Sequence, residues 1–280
     1  MGLPLKILPG LAYAADVSTR HVAMLGRIAS EPDYVSCWLT TLINNWQMLG
    51  GFADIDVQTL PPGEETATGC DAMIILEDEP PDRYCRVLLI EAKRVKPGMD
   101  KHQAGASSAA RALFMPPTKP PFSHFSDQLA RQSITRMGVD EWVIFEMFQH
   151  FKPTAEPVFD DCGSTFVEHD AAFAKAMKMG PKTLWRSHHV EEIASGATIN
   201  DVIEAMLRCE QGKPFRASVL PHKVRTLRKA VGLRPTPRDR TTVPGFKNLA
   251  QLLGLQAVAR ISGSHSWTTA KSCVVNSGAC

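Results

Sequence analysis

Paired cysteines are missing from this sequence. Its seven cysteines, at 37, 70, 85, 162, 209, 273 and 280, include no C-x-x-C pair. An odd number without paired spacing argues against both a zinc ribbon and a disulfide framework, and makes a reducing cytoplasm the expected compartment. Charge of one sign is lacking too. The 31 Lys and Arg against 29 Asp and Glu leave a net charge of +2, so the whole-chain balance names no partner. No uninterrupted apolar run approaches the ~18 residues that a membrane span needs, and no membrane partner is expected. The opening stretch, with its Ala-Tyr-Ala-Ala, faintly imitates a signal peptide, but Pro4, Lys6, Pro9 and Gly10 break its apolar run. There is no internal repeat. What remains is an ordinary globular composition, 44% hydrophobic and 21% charged over 280 residues. That is long enough to bury a core without staples.

Apolar residues at Val35, Trp38, Leu39, Leu42, Ile43 and Trp46 predict a helix over 34–49, preceded by Glu31, Pro32 and Asp33 and ended by Gly50-Gly51. Residues 54–60, DIDVQTL, alternate as a strand does. Two apolar runs, Ala72–Leu76 and Arg86–Ala92, flank the loop EDEPPDRYC. Residues 95–125 read as an irregular excursion with one short helix around Ala104–Leu113. A helix over 126–137, capped by Ser126, and a strand over 141–148 follow. Helices are expected at 168–179 and 198–211. The order is helix, three strands, helix, strand, then helices, which predicts a mixed sheet with helices on both faces. Residues 216–240 carry eight Arg or Lys against one acid, Asp239, and the chain from Ser262 is Ser/Thr-rich.

The segment RVLLIEAKR at 86–94 raises the chemical question. Glu91 and Lys93 interrupt a buried strand, two residues apart and therefore on one face. If the two runs form a hairpin in which 76 pairs with 86 and 72 with 90, Asp71 falls opposite Glu91, with Cβ atoms on the order of 5 Å apart. A two-residue slip keeps the three groups in reach; a one-residue slip separates them. Two carboxylates that close drive one neutral unless a cation intervenes. Hard oxygen donors select Mg²⁺, Mn²⁺ or Ca²⁺ over zinc, and the Ala92 carbonyl is a candidate extra ligand. Lys93 cannot ligate while charged, but it can orient a water or stabilise negative charge on a phosphodiester.

This arrangement resembles the PD-(D/E)xK, or restriction-endonuclease-like, nuclease superfamily. The matching residues are Gly69-Cys70-Asp71, the apolar strand, and Leu88-Leu89-Ile90-Glu91-Ala92-Lys93. An upstream acid in Glu64-Glu65-Thr66 and a helical glutamine, Gln128, match further positions of some members. The resemblance spans roughly residues 31–150; Cys70 stands where a proline would precede the aspartate. It implies a three-layer α/β/α fold with a mixed central sheet and a restriction-endonuclease-like core over residues 1–215. Residues 216–280 are expected to form a basic, partly flexible C-terminal extension. It further implies Mg²⁺- or Mn²⁺-dependent hydrolysis of nucleic acid, with DNA the expected substrate. Asp71, Glu91, Ala92 and Glu65 would hold the metal, and Lys93 and Gln128 would assist catalysis.

Plainer readings stand beside these. E-x-K alone is a short pattern, and Glu91 and Lys93 could mark a solvated strand end. Asp71 could be a turn residue, Glu65 a solvated acid and Gln128 a surface residue. Glu31 at a helix start needs no explanation beyond the helix dipole. His188-His189 with Glu191-Glu192 lacks HExxH spacing and reads as a solvated helix start. Asp160-Asp161 reads as a turn, Cys70 as a small buried thiol, and Trp38 and Trp46 as core. The basic stretch after 215, like Arg94, Lys96 and Lys101, could attract phosphate or be simply exposed. The functional alternatives are a non-catalytic nucleic-acid-binding module of the same fold and an interaction protein with an accidental E-x-K.

Overall fold

A computed structural model describes residues 3–57, 68–78, 83–96, 98–114, 121–150, 163–231, 253, 255 and 257–263. In chain order its elements are α1 (Leu8–Met24), α2 (Glu31–Met48), β1 (Phe52–Val57), β2 (Ala72–Asp78), β3 (Tyr84–Val95), β4 (His102–Gln103), α3 (Ser108–Leu113), β5 (Phe122–Ser123), α4 (His124–Gly138), β6 (Val143–His150), β7 (Thr165–Glu168), α5 (His169–Met179), α6 (Ser187–Glu191), α7 (Ile199–Leu207), β8 (Phe215–Arg216), α8 (Leu220–Ala230) and β9 (Ala257–Gly263).

Capping chemistry moves two helix starts earlier than apolar spacing predicts. The Ser30 hydroxyl accepts from the Asp33 amide at 3.2 Å, so α2 begins at Glu31, with two acids in its first turn. Ser123, not Ser126, caps α4: its Oγ accepts from the Ser126 amide at 3.0 Å. Ser126 lies within the first turn, and its hydroxyl takes the indole N–H of Trp185 at 3.2 Å. Helix α7 stops at Leu207, short of the 211 expected, and Cys209 just beyond it has φ +60°.

The hairpin of β2 and β3 has the register expected from the sequence, with Ala72 opposite Ile90 and Leu76 opposite Arg86. Among the described residues the main sheet has seven strands and runs β1-β9-β2-β3-β6-β7, with β8 beside the start of β3. β2 with β9 and β3 with β6 are parallel; β1 with β9, β2 with β3, and β6 with β7 are antiparallel. The sheet is therefore mixed. Ala72, Ile74, Leu88 and Ile90 pack toward α1, α2 and α7. On the other face Met73, Ile75, Val87 and Leu89 meet Val224 and Leu227 of α8, while Phe148 meets Phe125 and Leu129 of α4. All eight hairpin residues are at most 1% exposed, as a sheet covered on both faces requires.

The boundary read at residue 215 does not separate a body from a tail. Phe215 and Arg216 pair with Cys85 and Tyr84, and Ala257–Gly263 forms a central strand between β1 and β2. The reason is apolar content: Ala257, Val258, Ala259 and Ile261 are fully buried, a short run hidden among basic and Ser-rich neighbours. Residues 232–252 and 264–280 lie outside the described residues, as do 58–60 of the expected first strand. Cys37, Cys70 and Cys85 are free thiols, whereas Cys209 is disulfide-bonded. Among the described residues no helix is long and apolar enough to cross a membrane.

Candidate active site

The site is built where β2 begins and β3 ends. A turn at Gly69, with φ +74°, delivers Asp71 to the hairpin, where its amide donates to the Ile90 carbonyl at 2.8 Å. The Asp71 Oδ2 accepts from the Ala92 amide at 2.8 Å, which pins this carboxylate beside Glu91. Glu91 and Lys93 share one side of β3, as their spacing predicts, and Lys93 Nζ lies 2.6 Å from Glu91 Oε1. Gln128 of α4 donates from Nε2 to the same oxygen at 2.7 Å. The Lys93 ammonium sits 5.6 Å from the centre of the Phe125 ring, within cation–π range. Asp71, Glu91, Ala92, Lys93 and Gln128 thus come together. Glu65 lies outside the described residues.

One acid that sequence reasoning set aside belongs here as well. Glu31, at the first turn of α2, accepts from the Arg94 amide at 2.9 Å and stands 3.9 Å from Lys93 Nζ. Three carboxylates therefore surround one lysine. Burial, then the neighbouring Asp71, hold the Glu91 carboxyl well above its usual range. Asp71, half-buried at the rim, is pushed up to about 6, by removal from water first and with a contribution from Glu31, against the pull of Lys93 and the Ala92 amide. Burial alone would lower Lys93, but Glu91, Glu31 and Asp71 outweigh it, and the ammonium is held above its usual value.

The donor chemistry suits a hard divalent ion. Among the described residues, Glu91 Oε2 is buried with no hydrogen-bond partner, a costly condition for a carboxylate oxygen, and the anionic groups outnumber the cation. A complete cage is not assembled: among the described residues no group of three or more His, Cys, Asp or Glu is disposed to hold a metal ion.

Beneath the site lies a second polar layer that the sequence reading missed. Glu146 of β6 stands in register with Glu91 and is fully buried. Gln132, one turn after Gln128, donates to the Gly69 carbonyl at 2.7 Å and toward Glu146 Oε2 at 3.3 Å. His169, at the start of α5, closes the layer through Nδ1 and Gln132 Oε1 at 2.8 Å. Two signals could have found it: the i, i+4 glutamines of QLARQ, and a lone acid inside the apolar run WVIFEMF.

The other candidates lie elsewhere. His189 Nδ1 accepts from the Arg186 amide at 3.1 Å at the start of α6, a capping role. The described part of the basic segment, β8 and α8, packs toward the starts of β3 and β6. From Cys85, opposite Phe215, to Lys93 is roughly 25 Å along the strand, so these cations do not adjoin the site. Comparison with models of protein families, with curated proteins and with solved structures found no match.

Proposed function

We propose that this protein is a metal-dependent nuclease with a restriction-endonuclease-like core that hydrolyses phosphodiester bonds, with DNA the expected substrate. The observation that carries the reading is the meeting of Asp71, Glu91 and Lys93 at one strand end, with Gln128 bonded to Glu91. Asp71 and Glu91 would hold Mg²⁺ or Mn²⁺, with the Ala92 carbonyl and Glu65 as candidate further ligands. When bound, the ion supplies Lewis-acid stabilisation of charge on a phosphoryl oxygen. The protein's own groups divide the remaining work. Gln128 and Lys93 occupy Glu91 Oε1 and leave Oε2 for a ligand. The Lys93 ammonium, kept protonated by its carboxylate neighbours, orients the attacking water and offsets the growing negative charge on the phosphate.

The surface around the site supports a polyanionic partner. Lys96, Lys101, Arg111, Lys182 and Arg186 are exposed between β3 and α6. Of the described acids in that span, Asp100 and Asp127 are buried and engaged, whereas Asp140, Glu168 and Asp170 are exposed. Asp100 accepts from Ser123 Oγ and from the Phe125 and Trp185 amides; Asp127 pairs with Arg131 at 2.6 Å. Cations on this rim neutralise phosphates without reading sequence.

A nucleic-acid-binding module that does not cut is the second reading, favoured by the lack of a third described carboxylate in the ligand set. Incubating the purified chain with linear and circular DNA, and with RNA, in Mg²⁺ or Mn²⁺ separates the two. The nuclease reading requires metal-dependent cleavage that Asp71→Asn and Glu91→Gln abolish. Binding without cleavage supports the module, and neither binding nor cleavage leaves an interaction protein.

A further inference from the structure

Helix α4 grips the candidate site at three points. Gln128, Gln132 and Thr135 follow one another at spacings of four and three and so share a face. Gln128 bonds Glu91. Gln132 bonds the Gly69 carbonyl, and Thr135 Oγ1 donates to the Thr68 carbonyl at 3.1 Å. The turn that presents Asp71 is thus held from the side by two buried polar groups. Its approach is close enough that a Cβ on Gly69 would stand 2.6 Å from the Gln128 carbonyl oxygen and 3.2 Å from Gln132 Cγ.

The Gln132 bond depends on which way its amide faces. With Nε2 toward Gly69 O and Glu146 Oε2, the NH₂ meets two acceptors. Turned over, Oε1 would face both of them, oxygen against oxygen. His169 reinforces the same choice from the other side of the amide. Its Nδ1 lies 2.8 Å from Gln132 Oε1 and 3.4 Å from Glu146 Oε1, both acceptors, so Nδ1 carries the proton. Its Nε2 lies 2.9 Å from Ser133 Oγ, and its ring stacks on Phe173 at 5.8 Å. Both His169 and Gln132 are buried, so water does not substitute for either. One arm of this layer ends two residues before Asp71; the other ends at Glu146, directly beside Glu91.

We propose that His169 is a positioning residue for the candidate metal site: by orienting the Gln132 amide it holds the Thr68–Asp71 turn, and with it the Asp71 carboxylate, against β3. The proposal rests on the nuclease reading for its purpose, but its geometry is tested without cleavage. A buried histidine that merely satisfies Glu146 would stabilise the whole sheet. A positioning histidine acts on the Asp71 turn in particular.

The experiment compares the parent chain with His169→Phe, which keeps the ring but has no donor, and with His169→Asn, whose amide can donate near the Nδ1 position. Two quantities are read: amide hydrogen exchange at Asp71, Ala92 and Leu89, and the Mn²⁺ dissociation constant. The Ala92 amide reports directly on the Asp71 carboxylate that it bonds. The expected result for His169→Phe is exchange about tenfold faster at Asp71 and Ala92, with Leu89 unchanged. Mn²⁺ affinity falls by about tenfold, the lower end for loss of a group that orients a ligand, and His169→Asn recovers most of both. Should His169→Phe fail to fold, His169→Gln, with its donor near the Nε2 position, takes its place with the same expectation. Exchange at Ala92 equal to the parent's overturns the proposal, and so does an equal acceleration at all three amides. A parent chain that binds no Mn²⁺ removes the nuclease reading, while the exchange comparison still decides what His169 does.

Discussion

Lys93 is a cation whose charge is dictated by its neighbours. Glu91 at 2.6 Å and Glu31 at 3.9 Å keep it protonated, so it serves as a donor and a charge rather than as a base. Lys93→Ala should retain Mn²⁺ binding through Asp71 and Glu91 but lower cleavage by roughly 10²–10⁴-fold, the range for a positioned proton-handling group. Paired Mn²⁺ titration and cleavage assays check this, and cleavage at the parent's rate would remove the E-x-K reading. Asp71 carries a pH signature of the opposite kind. Its folded value of about 6 lies above the ordinary 3.8. Between those values the folded chain holds a proton that the unfolded chain has released, so stability falls as pH rises from about 4 to about 6 and stays lower above. For a half-buried group the effect is on the order of 1–3 kcal/mol after solvent screening. Asp71→Asn should therefore unfold at a higher urea concentration than the parent at pH 7.5 without metal, and at a similar one near pH 4. Added Mn²⁺ should close the gap by stabilising the parent alone.

At the scale of elements, the Gly69 turn and strand β9 decide whether the site exists. Gly69 combines φ +74° with a carbonyl oxygen 2.6 Å from where a Cβ would sit. Gly69→Ala should cost more than the ~1 kcal/mol that a left-handed backbone alone imposes, because the turn must also lift from α4. Urea unfolding measures the loss, and a weaker Mn²⁺ affinity should accompany it. Strand β9 pairs with β1 on one side and β2 on the other. Deleting the chain after residue 215 would therefore remove a central strand and open two sheet edges. A chain ending at residue 231 should therefore show no cooperative thermal transition by circular dichroism.

For the whole molecule, near-neutral net charge conceals an uneven distribution. The exposed cations Lys96, Lys101 and Lys182 accompany the site, whereas Arg225 and Lys229 are exposed on α8, which packs toward the opposite end of β3. If nucleic acid is drawn to the site, replacing Lys96 and Lys101 by Ala should weaken DNA binding and reduce the slope of log affinity against log salt by about two. Replacing Arg225 and Lys229 should change neither by a comparable amount. Fluorescence anisotropy in Ca²⁺ at several salt concentrations makes the measurement, and a larger effect from the α8 pair would move the nucleic-acid surface to the far end of the sheet.

The sequence by itself determined the parts governed by local patterning. The apolar runs 72–76 and 86–92 specified a doubly covered hairpin. Period-two alternation put Glu91 and Lys93 on one face, whereas the register that brings Asp71 beside Glu91 was one of several the sequence allowed and is set by the strand pairing. The hairpin and the shared face are short-range consequences of strand geometry, and they hold in the fold. Tertiary structure alone decided what lies far apart in the chain. It brought Glu31 from α2 to within reach of Lys93, 62 residues away by numbering. It joined Gln132 on α4 to His169 on α5, and it placed Ala257–Gly263 inside the sheet. The QLARQ spacing marks Gln132 itself, but none of these long-range pairings leaves a local pattern. An acid at a helix start already satisfies the dipole, a buried histidine has no periodicity, and a seven-residue strand carries too little signal to announce its neighbours. Their positions follow only from how helices and strands close over one core.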